Sequence, residues 1–256
     1  MNDYSKKDII NSLKKVGLKK GDNIFIHSNI GFFGKLENAK TKEEHWRIFK
    51  DAIFEVITKN GTVIVPTFSY SFCWNKIFDK VETPGTTGMF SELVRTDPDS
   101  KRSDDANFSV AALGQNSEFF TKNLSHESFG KDSFWERFVI KNGIICNFNV
   151  GLQYNTFIHY IEKLAKVPYR FDKKFDGTYK KNGEIKKDFY IHYVRNLDDP
   201  NSLPDLTELI TKSEELNYLK EVNLGRGTIS CITAKDTMEI ILKEINTNPN
   251  FLIKKK

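Results

Sequence analysis

The 256-residue chain predicts an α/β fold, read as a single layered α/β domain over residues 1–256 with a β-rich insertion at about 168–196. Two observations predict the layers. Within the first 68 residues, amphipathic stretches at helical spacing alternate twice with short apolar, β-branched runs, the mark of helices packed on a sheet. No internal repeat or long linker then divides the chain. A third observation predicts the insertion: beyond Pro168 aromatic and charged residues alternate through YRFDKKFDGTYKKNGEIKKDFYIHYVRN, a strand-like period of two.

The elements follow in order. Ser5 is placed to cap a first helix, SKKDIINSLKKVGL, whose Ile9, Ile10, Leu13 and Val16 share a side. Gly17 and the Gly21-Asp22 pair end it, and NIFIH reads as a short buried strand. Thr41 and Glu44 have capping-box spacing at the head of TKEEHWRIFKDAIFEVITKN, and TVIVPTF follows as the next strand. GMFSELVRT reads as a short helix, DPDSKRSDDAN as a polar loop and FSVAALG as an apolar strand. Helices around SEFFTKNL and DSFWERFVIKNG precede the strand GIICNFNVG. NTFIHYIEKLAK is the next helix, with Asn155 or Thr156 as its cap. The insertion reads as a β-meander turning at Asp176-Gly177 and Asn182-Gly183. A helix near 203–217, the strand GTISCIT and the helix AKDTMEIILKEI close the chain.

Composition narrows the function classes. Hydrophobic residues at 39% against 29% charged describe a chain able to bury a core. No apolar run reaches the ~18–20 residues that cross a bilayer, and the N-terminus lacks the pattern of a signal peptide, so a cytoplasmic protein is expected. Cys73, Cys146 and Cys231 are odd in number, widely spaced and without metal-binding spacing; they read as buried reduced thiols. The net charge of +5 comes with no nucleic-acid-binding motif, which argues against that partner class. Residues 160–196 hold ten Lys or Arg against five Asp or Glu, a local basic excess.

Three segments can carry chemistry. HSNIGFFG, His27 to Gly34, follows a buried strand with small and polar residues whose amides can approach a phosphate or carbonyl oxygen; a plain strand-to-loop turn is the competing reading. In KRSDDANFS, Arg102 beside Ser103 offers a donor fork and a hydroxyl to a phosphate, against a merely solvated loop. In NTFIHYIEKL, helical spacing puts Asn155, His159 and Glu162 on one face. A carboxylate beside an imidazole fixes its tautomer and raises its basicity, as a general base near neutral pH requires. A capped helix with a polar face is the alternative.

The order IFIHSNIGFFG, GTVIVPTFSYSF, GMFSELVR, KRSDDANFSVAALG, FGKDSFWERF, NVGLQYNTFIHYIEKLAKVPYR resembles the aminoglycoside 3-N-acetyltransferase family over about residues 5–170, and more loosely to the C-terminus. The H-S-x-x-x-x-x-G, R-S-x-x-x-x-x-S and N-T-x-x-H-x-x-E segments in register are its most specific pieces. The resemblance implies that family's own α/β fold and transfer of acetyl from acetyl-CoA, as co-substrate and with no metal, to an amine on a sugar. It implies His159 as general base and Glu162 as its support. His27, Ser28, Asn29, Gly31, Arg102, Ser103 and Ser109 fall to the coenzyme, and Asn155, Thr156, Thr67 and Tyr70 to the acceptor. Where the family often has Asn-Pro or His-Pro, this chain has Asp105-Ala106, so two acids sit beside Arg102.

The basic, aromatic-rich insertion argues for an anionic acceptor, a nucleotide-linked amino sugar of surface-glycan synthesis, rather than a polycationic drug. Acetylation of free aminoglycosides is the alternative, and a non-catalytic sugar- or nucleotide-binding relative the third reading. The sequence leaves a homo-oligomer open.

Overall fold

Capping chemistry and apolar spacing set the first half of the chain as read. The computed structural model describes residues 2–181 and 183–254. Ser5 and Asp8 form a reciprocal capping box at the head of α1 (Lys6–Lys15), and Thr41 and Glu44 form another at α2 (Lys42–Ile57). Between them runs β1 (Asn23–Ser28), and after α2 comes β2 (Thr62–Pro66), every residue of which is buried. The middle of the chain adds β3 (Ile77–Asp79), α3 (Met89–Arg95), β4 (Lys101–Arg102), β5 (Val110–Gly114), α4 (Ser117–Thr121), α5 (Phe134–Ile140) and β6 (Ile144–Phe148). The last third holds α6 (Ile158–Ala165), β7 (Arg170–Lys181), β8 (Glu184–Arg195), α7 (Thr207–Glu215), β9 (Lys220–Leu224), β10 (Gly227–Thr233) and α8 (Ala234–Ile245).

Seven strands form one sheet in the order β4-β5-β2-β1-β6-β10-β9. The central strands β2, β1 and β6 are parallel, and the outer pairings are antiparallel. Both faces are covered, which is why the central strands are apolar throughout rather than alternating. On one face Ile24 and Ile26 of β1 pack with Phe49, Ile53, Phe90 and Phe148. On the other, Phe25 meets Phe134, Trp135 and Phe138 at ring-centroid distances of 4.9–6.1 Å. Cys146 and Cys231 face each other across β6 and β10 as buried thiols, whereas Cys73 is half-buried.

The insertion differs from the expected meander. β7 runs straight through Asp176-Gly177 and pairs with β8 from Arg170↔Arg195 to Lys181↔Glu184, giving one long hairpin. Gly177 is in mid-strand for a steric reason: a Cβ there would lie 2.2 Å from the Phe72 ring. Asn182 of the second expected turn lies outside the described residues, and Gly183 has a φ of +82°. The hairpin is completed to three strands by β3, which pairs in parallel with β7.

The helix of NTFIHYIEKLAK is also shorter than expected. It begins at Ile158, and Asn155 stands outside it, its Oδ1 accepting the Phe157 amide in a local turn at 3.1 Å. The expected three-residue face therefore reduces to the pair His159 and Glu162.

Phe25 anchors the ring cluster under the central strands with no exposed surface. Phe25→Ala is expected to cost about 3–5 kcal/mol, the range for truncating a fully buried ring. Urea or thermal unfolding checks it.

Candidate functional site

The site gathers where the carboxyl ends of β1 and β6 meet the start of α6. In open α/β sheets the crevice outside those strand ends, where successive connections leave in opposite directions, is where ligands settle. Here β2 flanks β1 on one side and β6 on the other. The fold adds buried polar atoms without a protein partner at that spot: both ring nitrogens of His27, Oγ of Ser28, Oδ1 of Asn147 and Nδ2 of Asn155. Unpartnered buried polar atoms are costly, so their concentration at one strand end marks a place built to meet something else.

On α6, Nδ1 of His159 lies 2.7 Å from Oε2 of Glu162, one turn along the helix. The carboxylate only accepts, so Nδ1 carries the proton and Nε2 keeps its lone pair. The His159 side chain is 23% exposed while Glu162 is 1% exposed, so the ring can be reached and its support cannot. Arg170, at the start of β7, brings Nε to 2.7 Å from the same Oε2 and is itself 5% exposed. Burial would push the Glu162 carboxyl up, but the His159 hydrogen bond and the neighbouring charges of His159 and Arg170 hold it below the usual carboxylate range. Burial pulls His159 below the ordinary histidine value; the Glu162 hydrogen bond opposes this and the Arg170 charge adds to it. The result is an imidazole that is neutral at pH 7 with one nitrogen bare.

An aromatic run leads away from it. The His159 ring meets the edge of Phe129 at 5.4 Å, Phe129 meets Phe108 at 5.1 Å, and Phe108 meets Tyr70 at 5.2 Å. Of the residues assigned to the acceptor, Tyr70 is thus joined to the histidine by a chain of edge-to-face rings, and Thr156 is half-buried one turn ahead of it. Glu127 and Ser128, just before Phe129, line a cavity of about 390 Å³ closed by the β7–β8 hairpin. That size suits a small molecule. His159 is not part of its wall; the 127–129 segment connects the two. Four carboxylates, Asp104, Asp105, Glu127 and Asp188, face the cavity against two lysines, Lys186 and Lys187.

Several residues read from the sequence are buried or already bonded to protein partners. Arg102 is 6% exposed, and its guanidinium donates to the carbonyls of Lys80, Thr83 and Thr67 and to Oγ of Ser109. It braces loops from inside and has no free fork for a phosphate. Burial lowers its pKa to about 10. Ser109 and Thr67 have no exposed surface and are bonded to each other and to backbone, and Ser103 Oγ accepts the Val110 amide. These four are buried and bonded to protein partners, Ser103 at the edge of the cavity. Asp105, the departure beside them, has the same use: it accepts the Asn107 and Phe108 amides and the Ser128 hydroxyl. Asn155 is 2% exposed and is held by its turn. In the 27–34 loop, Ile30–Phe33 forms a short 3-10 turn and the Asn29 amide donates to the Phe148 carbonyl. Gly31 has open space where a Cβ would stand. His27 is 8% exposed and burial lowers its pKa to about 4, so it is a neutral interior group.

Sequence reasoning missed Arg170, Phe129, Glu127 and Asp188. One signal was present for the first. Among the ten basic residues of 160–196 only Arg170 and Arg195 are arginines, the type suited to buried ion pairs.

The profile of the aminoglycoside 3-N-acetyltransferase family matches residues 25–245. A relative in Bacillus subtilis (strain 168), the SPbeta prophage-derived aminoglycoside N(3')-acetyltransferase-like protein YokD, is 24% identical over 189 residues, 65% of this chain and 66% of that protein, just under two thirds of its length. Among solved structures, aminoglycoside acetyltransferase AAC(3)-IVa, as a His-to-Ala mutant in complex with a gentamicin, matches with a TM-score of 0.82 and 22% identity over 100% of this chain and 93% of that one. AAC-IIIb in a binary complex with CoASH matches with a TM-score of 0.79 and 18% identity, covering 95% and 96% of the two chains. These likenesses establish the fold.

Two outcomes follow from the placements. Arg102→Met strands three carbonyls in the interior and is expected to cost roughly 3 kcal/mol, on the order of 10 °C in Tm, with KM for acetyl-CoA unchanged in the folded protein. A phosphate-binding role would raise that KM and leave Tm alone. His27 has a folded pKa of about 4 against 6.5 unfolded, so between those values the unfolded chain binds more protons and stability falls as pH falls. Urea unfolding from pH 7 to 4 is expected to lose roughly 3 kcal/mol through this group, and His27→Gln to remove that part of the slope.

Proposed function

The chain belongs to the aminoglycoside 3-N-acetyltransferase family, and we propose that it transfers acetyl from acetyl-CoA to an amine of a polycationic amino sugar of the aminoglycoside class. The observation that carries this is the pairing of a neutral, reachable His159, bare at Nε2, with a cavity wall rich in carboxylate. An amino-sugar nitrogen is protonated near pH 7 and has no lone pair for attack. His159 Nε2 takes one ammonium proton and later releases it to solvent. The freed nitrogen bonds to the acetyl carbonyl carbon, and the bond from that carbon to sulfur breaks. The second proton lost by the nitrogen ends on the departing thiolate, giving the amide and the free thiol. Glu162 holds the imidazole in the required tautomer and offsets the charge it acquires. Acetyl-CoA supplies the activated acyl group. The buried, unpartnered atoms at the end of β1, Ser28 Oγ and the His27 nitrogens, suit the amide groups of its pantetheine arm.

The choice of a cationic acceptor over a nucleotide-linked one rests on where the insertion's charges go. Lys174, Lys180 and Lys186 are paired with Asp176, Asp79 and Glu184, so part of the basic excess is offset within the insertion and β3. Asp104, Glu127 and Asp188 are 33–42% exposed and rest against Lys80, Lys163 and His126, partners with which the ammonium groups of an acceptor would compete. The complexes of relatives with a gentamicin and with sisomicin support the same class.

Thiol release from acetyl-CoA, measured across free aminoglycosides and nucleotide-linked amino sugars, tests the reading. Turnover of aminoglycosides is expected, with kcat/KM rising with pH along an acidic limb whose midpoint lies below the ordinary histidine value, because the base works deprotonated. His159→Ala is expected to lose on the order of 10²–10⁴ in rate. Undiminished activity in that variant would refute the base, and faster turnover of nucleotide-linked sugars would refute the acceptor class.

A further inference from the structure

Glu162 has two claimants for one oxygen. Nδ1 of His159 and Nε of Arg170 both stand 2.7 Å from Oε2, the first as a hydrogen bond and the second as an ion-pair contact, and the carboxylate is 1% exposed. A buried carboxylate facing only a histidine has two easy outcomes: it picks up a proton, or it holds the imidazolium so firmly that the histidine no longer stays neutral. Neither leaves a working base. We propose that Arg170 is a positioning residue for the base: its guanidinium keeps Glu162 ionised and aimed at Nδ1, and keeps Glu162 from trapping a proton on His159. The inference rests on the reading of His159 as base.

The surroundings leave this task to Arg170. Lys163, one residue on from Glu162, pairs with Glu127 at 2.8 Å and Asp172 at 2.6 Å, so its charge is spent outward. Tyr193 donates its hydroxyl to the Val167 carbonyl. Tyr169 brings a neutral hydroxyl near the carboxylate, and burial with the Glu162 charge keeps that phenol protonated. The imidazole also meets the Phe129 ring at 5.4 Å, nearly perpendicular to it. Among the described residues Arg170 is therefore the positive charge set against the dyad, and a lysine in its place would keep its charge through the same contact with the ionised Glu162. Its Nη1 also donates to the Tyr193 carbonyl at 3.3 Å, on the strand paired with its own. The root of the β7–β8 hairpin, which walls the cavity, is thus tied to the base by the same side chain.

Arg170→Met removes the charge and keeps most of the volume; Arg170→Gln does the same with a polar end; Arg170→Lys keeps a charge. The readout is the His159 titration midpoint by NMR of isotope-labelled histidine in the free protein, its signal assigned by loss in His159→Ala, followed by the acidic limb of kcat/KM. Both neutral variants are expected to raise the midpoint by roughly one pH unit, with kcat/KM at pH 7 falling by up to about threefold and the plateau at higher pH retained. Arg170→Lys is expected to return the midpoint towards the wild-type value. A midpoint unmoved in whichever neutral variant folds, with activity lost evenly at all pH values, would make Arg170 structural only and overturn the proposal, as would a lysine variant that shifts as far as methionine. Because the midpoint is read without substrates, it stands apart from the function: full activity in His159→Ala would remove the base while leaving this coupling measurable.

Discussion

Oε2 of Glu162 is the atom on which the site depends. At 2.7 Å it accepts a hydrogen bond from Nδ1–H of His159 on its own helix and faces the Arg170 guanidinium from the inserted hairpin. A carboxylate this buried survives as an anion only with such partners around it. Once it is an anion, the rest follows: Nδ1 must be the protonated nitrogen, Nε2 must be bare, and the bare nitrogen sits on the reachable part of the ring. Without it, His159 would be one more partly buried histidine with a free choice of tautomer.

The fold supplies that geometry by joining three otherwise separate parts. The parallel strands β1 and β6 end together and bring the turn around Asn155 under α6. α6 carries His159 and Glu162 on one side. The hairpin brings Arg170 back to the same point and also closes the cavity whose carboxylates suit a cationic acceptor. The hairpin is held to the sheet by a separate polar contact: Asn107 accepts the Phe72 and Cys73 amides and reaches Nε2 of the buried His192 at 3.1 Å. Arg102 steadies the adjoining loops from within. Polar residues of the 101–109 segment therefore build the walls rather than meet the ligand.

Local signals were legible in the sequence. The Ser5 and Thr41 caps, the apolar strands and the i,i+3 relation of His159 to Glu162 all depend on residues close in the chain, and all appear as read. Three readings failed because they depended on what lay across space. Arg102 looked like a phosphate fork, but the loop after β3 and the residue after β2 bring three carbonyls to its head group. Asp176-Gly177 looked like a turn, but Gly177 is there to let the Phe72 ring approach mid-strand. The lysines of the insertion looked like an anion site, but three of them, Lys174, Lys180 and Lys186, meet carboxylates of the same hairpin and of Asp79. Arg170 was invisible for the converse reason: its role exists only once β7 returns to α6.

The claim that Glu162 fixes the histidine as a base can be read directly from the ring. ¹⁵N chemical shifts of His159 in the free protein at neutral pH report which nitrogen carries the proton. The account predicts a neutral imidazole protonated at Nδ1 and bare at Nε2. A ring protonated at Nε2, or at both nitrogens, would contradict it.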